Sequence, residues 1–206
     1  MENKRGCLSD HFPHLIGRKV LLAPGHVGAR GEGTCNASGE YSEEAVNARI
    51  VADTLSVLEH TGALPFFMAG TFALKATHAE QIKPDAFIEV HCNGFDKPAP
   101  HGFEVWHFGD PQSIALAKHL AKRMLSYTPI TCRGVHDMRV LAQPRDDWKQ
   151  KHNALFRTVE ARPLVLLETG FLTNPDDAAW LTDFDNHDRI ASAIVHGLND
   201  FFRGDE

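Results

Sequence analysis

The stretch "DAFIEVHCNG" (residues 85–94) is an apolar run of strand type that ends on His91. Two other runs have the same design: "KVLLAPGH" (residues 19–26) ends on His26, and "PLVLLETGF" (residues 163–171) carries Glu168 after its apolar part. Continuous apolar runs of this length are typical of strands that are buried on both faces of a parallel sheet. The sequence therefore predicts three buried strands, each of which leads into a polar side chain.

Amphipathic segments separate these strands. The segment Ser42–Thr61 predicts a helix that begins with Ser42 as N-cap, residues 111–125 predict a second helix, and two more are expected from about Pro175 and from His187 to Phe202. Shorter strand patterns lie at residues 63–70 and 102–108, with a short helix at residues 74–83, whereas residues 127–162 show no clear periodicity. Alternating strands and helices indicate an α/β layer fold with a largely parallel sheet.

The composition narrows the class of protein. The chain has 206 residues, 43% of them hydrophobic, which suits a single globular domain. Its formal charge is −6 and it has no basic run, so we expect no binding to nucleic acid or anionic lipid. No stretch reaches membrane-spanning length. The four cysteines are scattered, which argues against a disulfide framework or a cysteine zinc site.

The polar strand ends are expected to meet. In an open α/β sheet the ligand crevice lies at the carboxyl ends of the strands, so parallel strands bring His26, His91 and Glu168 to one edge. Burying a carboxylate after "LVLL" costs several kcal/mol unless a cation or donor meets it. A lone histidine is usually structural, but three polar residues at equivalent strand ends predict a functional site.

A further carboxylate is expected from the first helix. Glu43 and Glu44 are adjacent and point about 100° apart, so only one of them can face the sheet. Glu44 heads an apolar stripe (Ala48, Val51, Ala52, Leu55 and Leu58), whereas Glu43 heads a mixed face. This pattern favours Glu44, with Glu43 and Glu40 as the alternatives.

His26, Glu44 and His91 together make two imidazoles and one carboxylate. Three protein ligands with an open fourth position are typical of a catalytic zinc ion, whereas structural zinc sites are closed by four ligands. Glu168 is then the candidate general base and acid. The sequence predicts one Zn²⁺ ion and the hydrolysis of an amide.

Four motifs, in order, carry a resemblance to a known family: "LLAPGH", "SEEAVNARIVADTLSVLEHTG", "PDAFIEVHCNG" and "RPLVLLETGFLTNPDDAAWL". They resemble those of the zinc-dependent N-acetylmuramoyl-L-alanine amidases of type 3. The resemblance implies a twisted, mostly parallel sheet of about six strands flanked by helices. It also implies that peptidoglycan is the partner, cut between N-acetylmuramic acid and L-alanine, with zinc on His26, Glu44 and His91 and catalysis by Glu168.

Some positions depart from the family pattern. The family commonly has a small polar residue where this chain has Glu89. This carboxylate shares a strand face with His91 and is expected to support it or to pair with a base, with direct binding to the metal as the less favoured alternative. Residues 142–153 look like an insertion and are interpreted as a loop at the site's rim, although a loop without a role fits equally well. Arg133, His136 and Trp148 are weaker candidates for substrate contact.

The chain shows no export signal and no added wall-binding repeat or blocking helix. We therefore expect one catalytic domain over residues 1–206, with its core at about 19–203, that acts as a monomer. The pattern resembles a phage or prophage endolysin, made in the cytoplasm and acting on the wall after release. The alternatives are another zinc hydrolase, such as a carboxypeptidase or deacylase, and a non-catalytic wall-binding protein.

Overall fold

The computed structural model describes residues 11–28, 33–140 and 163–204. Within these ranges the chain alternates between strands and helices, as the sequence predicts. The elements are β1 (Lys19–Pro24), α1 (Glu43–Glu59), β2 (Leu64–Phe67), α2 (Phe72–Ile82), β3 (Ala86–Asn93), β4 (Phe103–His107), α3 (Pro111–Tyr127), β5 (Cys132–Asp137), β6 (Leu164–Phe171), α4 (Pro175–Leu181) and α5 (His187–Arg203), with short 3-10 helices at Pro13–Leu15 and Phe184–Asn186.

Polar caps set the beginnings of the helices. The Ser42 hydroxyl accepts from the backbone N–H of Ala45, and the Asp110 carboxylate accepts from that of Ser113. Each bond satisfies one of the N–H groups that the first turn of a helix leaves without a partner. The start of α1 at Glu43, one residue after its cap, confirms the predicted N-terminus of that helix and fixes the position of its first carboxylates.

All six strands form one mixed sheet in the order β2-β1-β3-β6-β4-β5. The first four run parallel, while β4 runs antiparallel to β6 and parallel to β5. The α/β class and the mostly parallel sheet of about six strands are therefore confirmed. The strand β5 lies in the region whose pattern predicted no element.

Both faces of the sheet are buried. On β3, Ile88 and Val90 join a core formed with α1, α3 and α5, whereas Phe87 joins a second core formed with α2. Cys92 belongs to the first core, as expected from strand alternation. No helix of the described ranges is at once long enough and apolar enough to cross a membrane.

Strand direction determines what lies at each edge. The carboxyl ends of β1, β3 and β6 are neighbours at one edge, and the reversed β4 brings its first residues to that edge. Residues 94–102 join β3 to β4 there without a helix. Residues 142–153 lie outside the described residues. Asp137, where β5 ends, and Leu164, where β6 begins, lie at the opposite edge.

Candidate metal centre

A cavity of about 350 Å³ opens at the carboxyl ends of β1, β3 and β6. His26, His91 and Glu168 all line it, which confirms that the three strands bring these side chains to one edge. The other lining residues are Thr34, Glu43, Cys92, Asn93, Gly94, Phe95, Asp96 and Thr173.

His26 follows β1 in an unusual backbone conformation. Its φ of 65° lies in the left-handed region, which non-glycine residues adopt rarely and mostly where the surrounding structure imposes it. Burial lowers the pKa of its imidazole below the usual value. The preceding residue must be glycine, because a Cβ at Gly25 would lie 2.2 Å from Cε1 of His91. The turn after β1 therefore lets the two histidine rings meet edge to face, with their centroids 5.2 Å apart.

Glu43, in the first turn of α1, is the carboxylate that faces this site. Its Oε1 lies 3.0 Å from Nδ1 of His91 and 3.5 Å from Nε2 of His26, and its Oε2 accepts from the backbone N–H of Thr34. Burial acts to raise the pKa of Glu43, but the hydrogen bond from His91 and the charges of the two imidazoles outweigh it and the pKa is lowered. Glu43 is thus a buried anion held by donors on three sides.

The prediction that Glu44 faces the sheet is wrong, because Glu44 is exposed while Glu43 is only 4% exposed. The reason is that the polar residues one and three turns below Glu43 tolerate burial because their side chains donate hydrogen bonds there. Asn47 donates to the carbonyl of Gly25 and to Glu43, and the hydroxyl of Thr54 donates to the carbonyl of Ile50. The mixed stripe is consequently the buried one. Glu40, the other alternative, is exposed in the loop before α1.

His91, at the end of β3, is held between two carboxylates. Its Nδ1 faces Glu43, and its Nε2 lies 3.4 Å from Oε1 of Glu89. Burial acts to lower the pKa of His91, but the hydrogen bonds to Glu43 and Glu89 outweigh it and raise the pKa to about 10.

The residues at this site fit a divalent cation. One donor atom each from His26, Glu43 and His91 lies within 4.8 Å of the other two. Two imidazoles and one carboxylate are a known ligand set for a catalytic zinc ion, and the adjoining cavity leaves room for water or substrate. Within the described parts of the chain, no other three histidine, cysteine, aspartate or glutamate side chains lie close enough together to hold a metal ion.

Glu168, on β6, lines the same cavity and is 4% exposed. Its Oε2 is buried without a hydrogen-bond partner among the described residues. Burial raises the pKa of Glu168 to about 8; the charge of His91 opposes this rise, while Glu43 and Glu104 add to it. A carboxyl group with a pKa near neutrality, facing a cavity, is suited to take up and release a proton.

The structure places the remaining predicted residues as follows. Glu89 is fully buried and pairs with Lys75, in agreement with its predicted pairing with a base. Arg133 does not line the cavity but donates from Nε to Oε1 of Glu104, at 2.6 Å. His136 packs against the ring of Trp106 and does not line the cavity either. Trp148 lies outside the described residues.

Sequence reasoning missed two residues beside the site. Lys75 was not identified, because a lysine on a short helix is normally solvated and only its burial shows otherwise. Glu104 lies in the strand pattern at residues 102–108, from which no role was inferred for it. Its signal was a carboxylate between the apolar residues Phe103 and Val105 of that strand.

Comparison with known proteins agrees with this geometry. The family model for N-acetylmuramoyl-L-alanine amidase (Amidase_3) matches residues 20–200. The chain is 26% identical over 188 residues to "Probable cell wall amidase LytH" of Staphylococcus epidermidis and 25% identical to the protein of that name in Staphylococcus saprophyticus. Each alignment covers 91% of this chain, which spans 60% of the length of those relatives.

Solved structures show the same fold. The catalytic domain of the amidase CwlV from Bacillus (Paenibacillus) polymyxa var. colistinus has a TM-score of 0.74 at 23% identity, covering 91% of this chain and 99% of that one. An N-acetylmuramoyl-L-alanine amidase from Clostridium difficile 630 has a TM-score of 0.77 at 20% identity, covering 92% and 99%. Since the family model spans nearly the whole sheet and all the residues around the cavity, the chain belongs to the N-acetylmuramoyl-L-alanine amidase family, Amidase_3.

Proposed function

We propose that this protein is a zinc-dependent amidase that hydrolyses the bond between the lactyl group of N-acetylmuramic acid and L-alanine in peptidoglycan. The observation that carries the proposal is the cluster of His26, Glu43 and His91, whose donor atoms lie within 4.8 Å of one another beside the buried carboxylate of Glu168. Family membership and the relatives that are named cell wall amidases support the choice of substrate.

His26, Glu43 and His91 would hold the ion, and the neighbouring groups keep these ligands in place. The backbone N–H groups of Thr34 and Cys92 donate to Oε2 and Oε1 of Glu43, which holds its carboxylate close to both imidazoles. When bound, zinc supplies Lewis acidity, which polarises a carbonyl and lowers the pKa of water.

Glu168 performs the proton transfers in this proposal. As a carboxylate it takes a proton from the water that attacks the amide carbon, while the new C–O bond forms. It then delivers that proton to the nitrogen of L-alanine as the C–N bond breaks, which regenerates the carboxylate. Its raised pKa suits this cycle, as does its Oε2, which accepts no hydrogen bond from any residue that the structure describes.

The structure gives less support to a carboxypeptidase, which needs a free cation to bind the terminal carboxylate of its substrate. Four arginines could serve in that role, of which Arg145 and Arg157 lie outside the described residues and the other two are ion-paired. Arg133 pairs with Glu104 and Arg139 pairs with Asp137.

Digestion of purified peptidoglycan sacculi tests the proposal. The zinc-loaded chain is expected to release L-alanine amino groups together with unsubstituted lactyl groups on intact glycan. Glu168→Gln is expected to lower the rate at least about 100-fold while the variant still binds one zinc ion, which also distinguishes an enzyme from a wall-binding protein. Release of terminal D-alanine alone, or cleavage at the wild-type rate by Glu168→Gln, would overturn the proposal.

The phage-type lytic role, the release from the cytoplasm and the monomeric state stay predictions from the sequence. Expression in a bacterial host tests the first two together. We expect cells to lyse only when a separate membrane-permeabilising protein is co-expressed, and analytical ultracentrifugation to give the mass of one chain. Lysis without permeabilisation would contradict the predicted route.

A further inference from the structure

A buried ion pair lies beneath the candidate metal centre and has no part in the proposed chemistry. Lys75 of α2 is 2% exposed and Glu89 of β3 is fully buried, and Nζ lies 2.5 Å from Oε1. Burying such a pair costs the hydration of both charges, and apolar residues of similar volume often stabilise a fold equally well or better. Its presence therefore suggests a role other than stability.

The contacts of the pair lead to both histidines. Nζ of Lys75 also donates to the carbonyl of Pro24, the last residue of β1 and two positions before His26. The same Oε1 of Glu89 that accepts from Lys75 lies 3.4 Å from Nε2 of His91. The pair thus joins the end of β1 to the ring on β3.

The position of Glu89 also gives the two ring nitrogens of His91 different partners. Nε2 faces Glu89, while Nδ1 faces Glu43 at 3.0 Å. Once His91 is neutral, an imidazole that donates its single N–H from Nε2 to Glu89 keeps Nδ1 free of hydrogen and directed toward the other ligands. Outer carboxylates commonly fix the tautomer and orientation of a metal-binding histidine in this way.

We propose that Lys75 and Glu89 are positioning residues for the metal centre, an inference that rests on the proposed function. Glu89 holds His91 in the tautomer that presents Nδ1 to the ion. Lys75 balances the charge of Glu89, so that this carboxylate does not act as a competing ligand. Its bond to the carbonyl of Pro24 also holds the end of β1 next to Glu89. Neither residue is among those that line the cavity.

The double variant Lys75→Met/Glu89→Met tests this inference, because it removes the pair and keeps the volume and the net charge. The free energy of unfolding of the metal-free chain is expected to stay equal or to rise, while zinc affinity falls by about 10- to 100-fold. Affinity is measured by competition with a chromophoric chelator. Lys75→Met/Glu89→Gln, which retains an acceptor at position 89, is expected to recover part of the loss.

A second ion pair provides the matched control. Arg123 and Asp200 join α3 to α5, with 2.6 Å between Nε and Oδ2, and neither residue lines the cavity. Arg123→Met/Asp200→Asn is expected to leave zinc affinity unchanged. If the Lys75→Met/Glu89→Met variant binds zinc as tightly as the wild type, the pair is only structural and the inference fails, although the proposed function stands. If the wild type binds no zinc, the proposed function itself fails.

The histidine tautomers provide a test that needs no substitution at the pair. Long-range ¹H–¹⁵N spectra of the zinc-loaded wild type, with His91 assigned by comparison with His91→Asn, are expected to show a protonated Nε2 on this ring. A protonated Nδ1 with zinc on Nε2 would overturn the inference even if the double variants fail to fold.

Discussion

Glu104 and Glu168 are direct partners in the antiparallel ladder between β4 and β6, so two carboxylates lie opposite each other beside the cavity. Glu104 is neutralised on its other side by Arg133, and its second oxygen accepts from Asn93 and Trp106. Like charges placed opposite one another in a sheet are unfavourable. Here Glu104 adds to the rise in the pKa of Glu168, after the larger effect of burial.

This relationship predicts opposite effects of two substitutions on the pH profile. Because the carboxylate form of Glu168 is the active base, the acidic limb of kcat/KM follows its pKa, which burial raises to about 8 in the metal-free protein. Glu104→Gln removes a negative neighbour, so the limb is expected to move to lower pH. Arg133→Met leaves Glu104 uncompensated, so the limb is expected to move to higher pH.

Steady-state hydrolysis across the pH range measures both shifts. Arg139→Met is the control, because it breaks the pair with Asp137 at the far end of β5. Shifts in the same direction for Glu104→Gln and Arg133→Met would contradict the electrostatic explanation.

Adjacent residues of α1 allow a sharp test of the carboxylate ligand. Glu43→Gln is expected to lower zinc affinity at least about 100-fold, since the amide is a far weaker ligand than the buried carboxylate. Glu44→Gln is expected to bind as the wild type does, because Glu44 is exposed one position away. Chelator competition on the metal-free proteins gives both values. Equal losses would mean that the helix start, not the side chain of Glu43, matters.

Zinc binding is expected to release protons. The pKa of His91, raised to about 10, leaves its ring protonated at pH 7, whereas the lowered pKa values of His26 and Glu43 leave those groups ready to bind. The ion must therefore displace about one proton, and affinity should rise about tenfold per pH unit below pH 10.

Calorimetry in buffers of different ionisation enthalpy counts these protons. The Glu168→Gln background is the one to use, because Glu168, with a pKa of about 8, would otherwise contribute a proton of its own. A count near zero would show that His91 is neutral in the metal-free chain.

A separate prediction concerns stability. Burial acts to raise the pKa of Asp200, but the bond from Arg123 outweighs it and the pKa is lowered. Asp200→Asn is expected to lower the free energy of unfolding by about 1 kcal/mol at pH 7. The stabilisation is present above the unfolded-state pKa of about 3.9 and is lost as the pH falls through the lower folded-state value. Urea unfolding of the metal-free proteins measures the difference, which should shrink in acid.

The strands and the convergence of their three polar ends were predictable, because each strand shows itself as a continuous apolar run within a few residues of the sequence. The antiparallel direction of β4 and the edge strand β5 were not, because both depend on pairing between distant segments. On α1 the longer apolar stripe pointed to the wrong face, since hydrogen bonds within the helix make Asn47 and Thr54 compatible with burial. The ion pair between Lys75 on α2 and Glu89 on β3 was not predictable either, because it forms only when these two elements lie next to each other.

Because β4 and β5 run opposite to β6, the end of β5 and the beginning of β6 both lie at the end of the sheet opposite to the cavity. The chain leaves β5 at Asp137 and enters β6 at Leu164, both far from the mouth of the cavity. Val140, just beyond β5, is 76% exposed. A fluorophore or surface linker attached at that position would leave the mouth facing outward, so that the immobilised protein could be presented with insoluble cell-wall fragments.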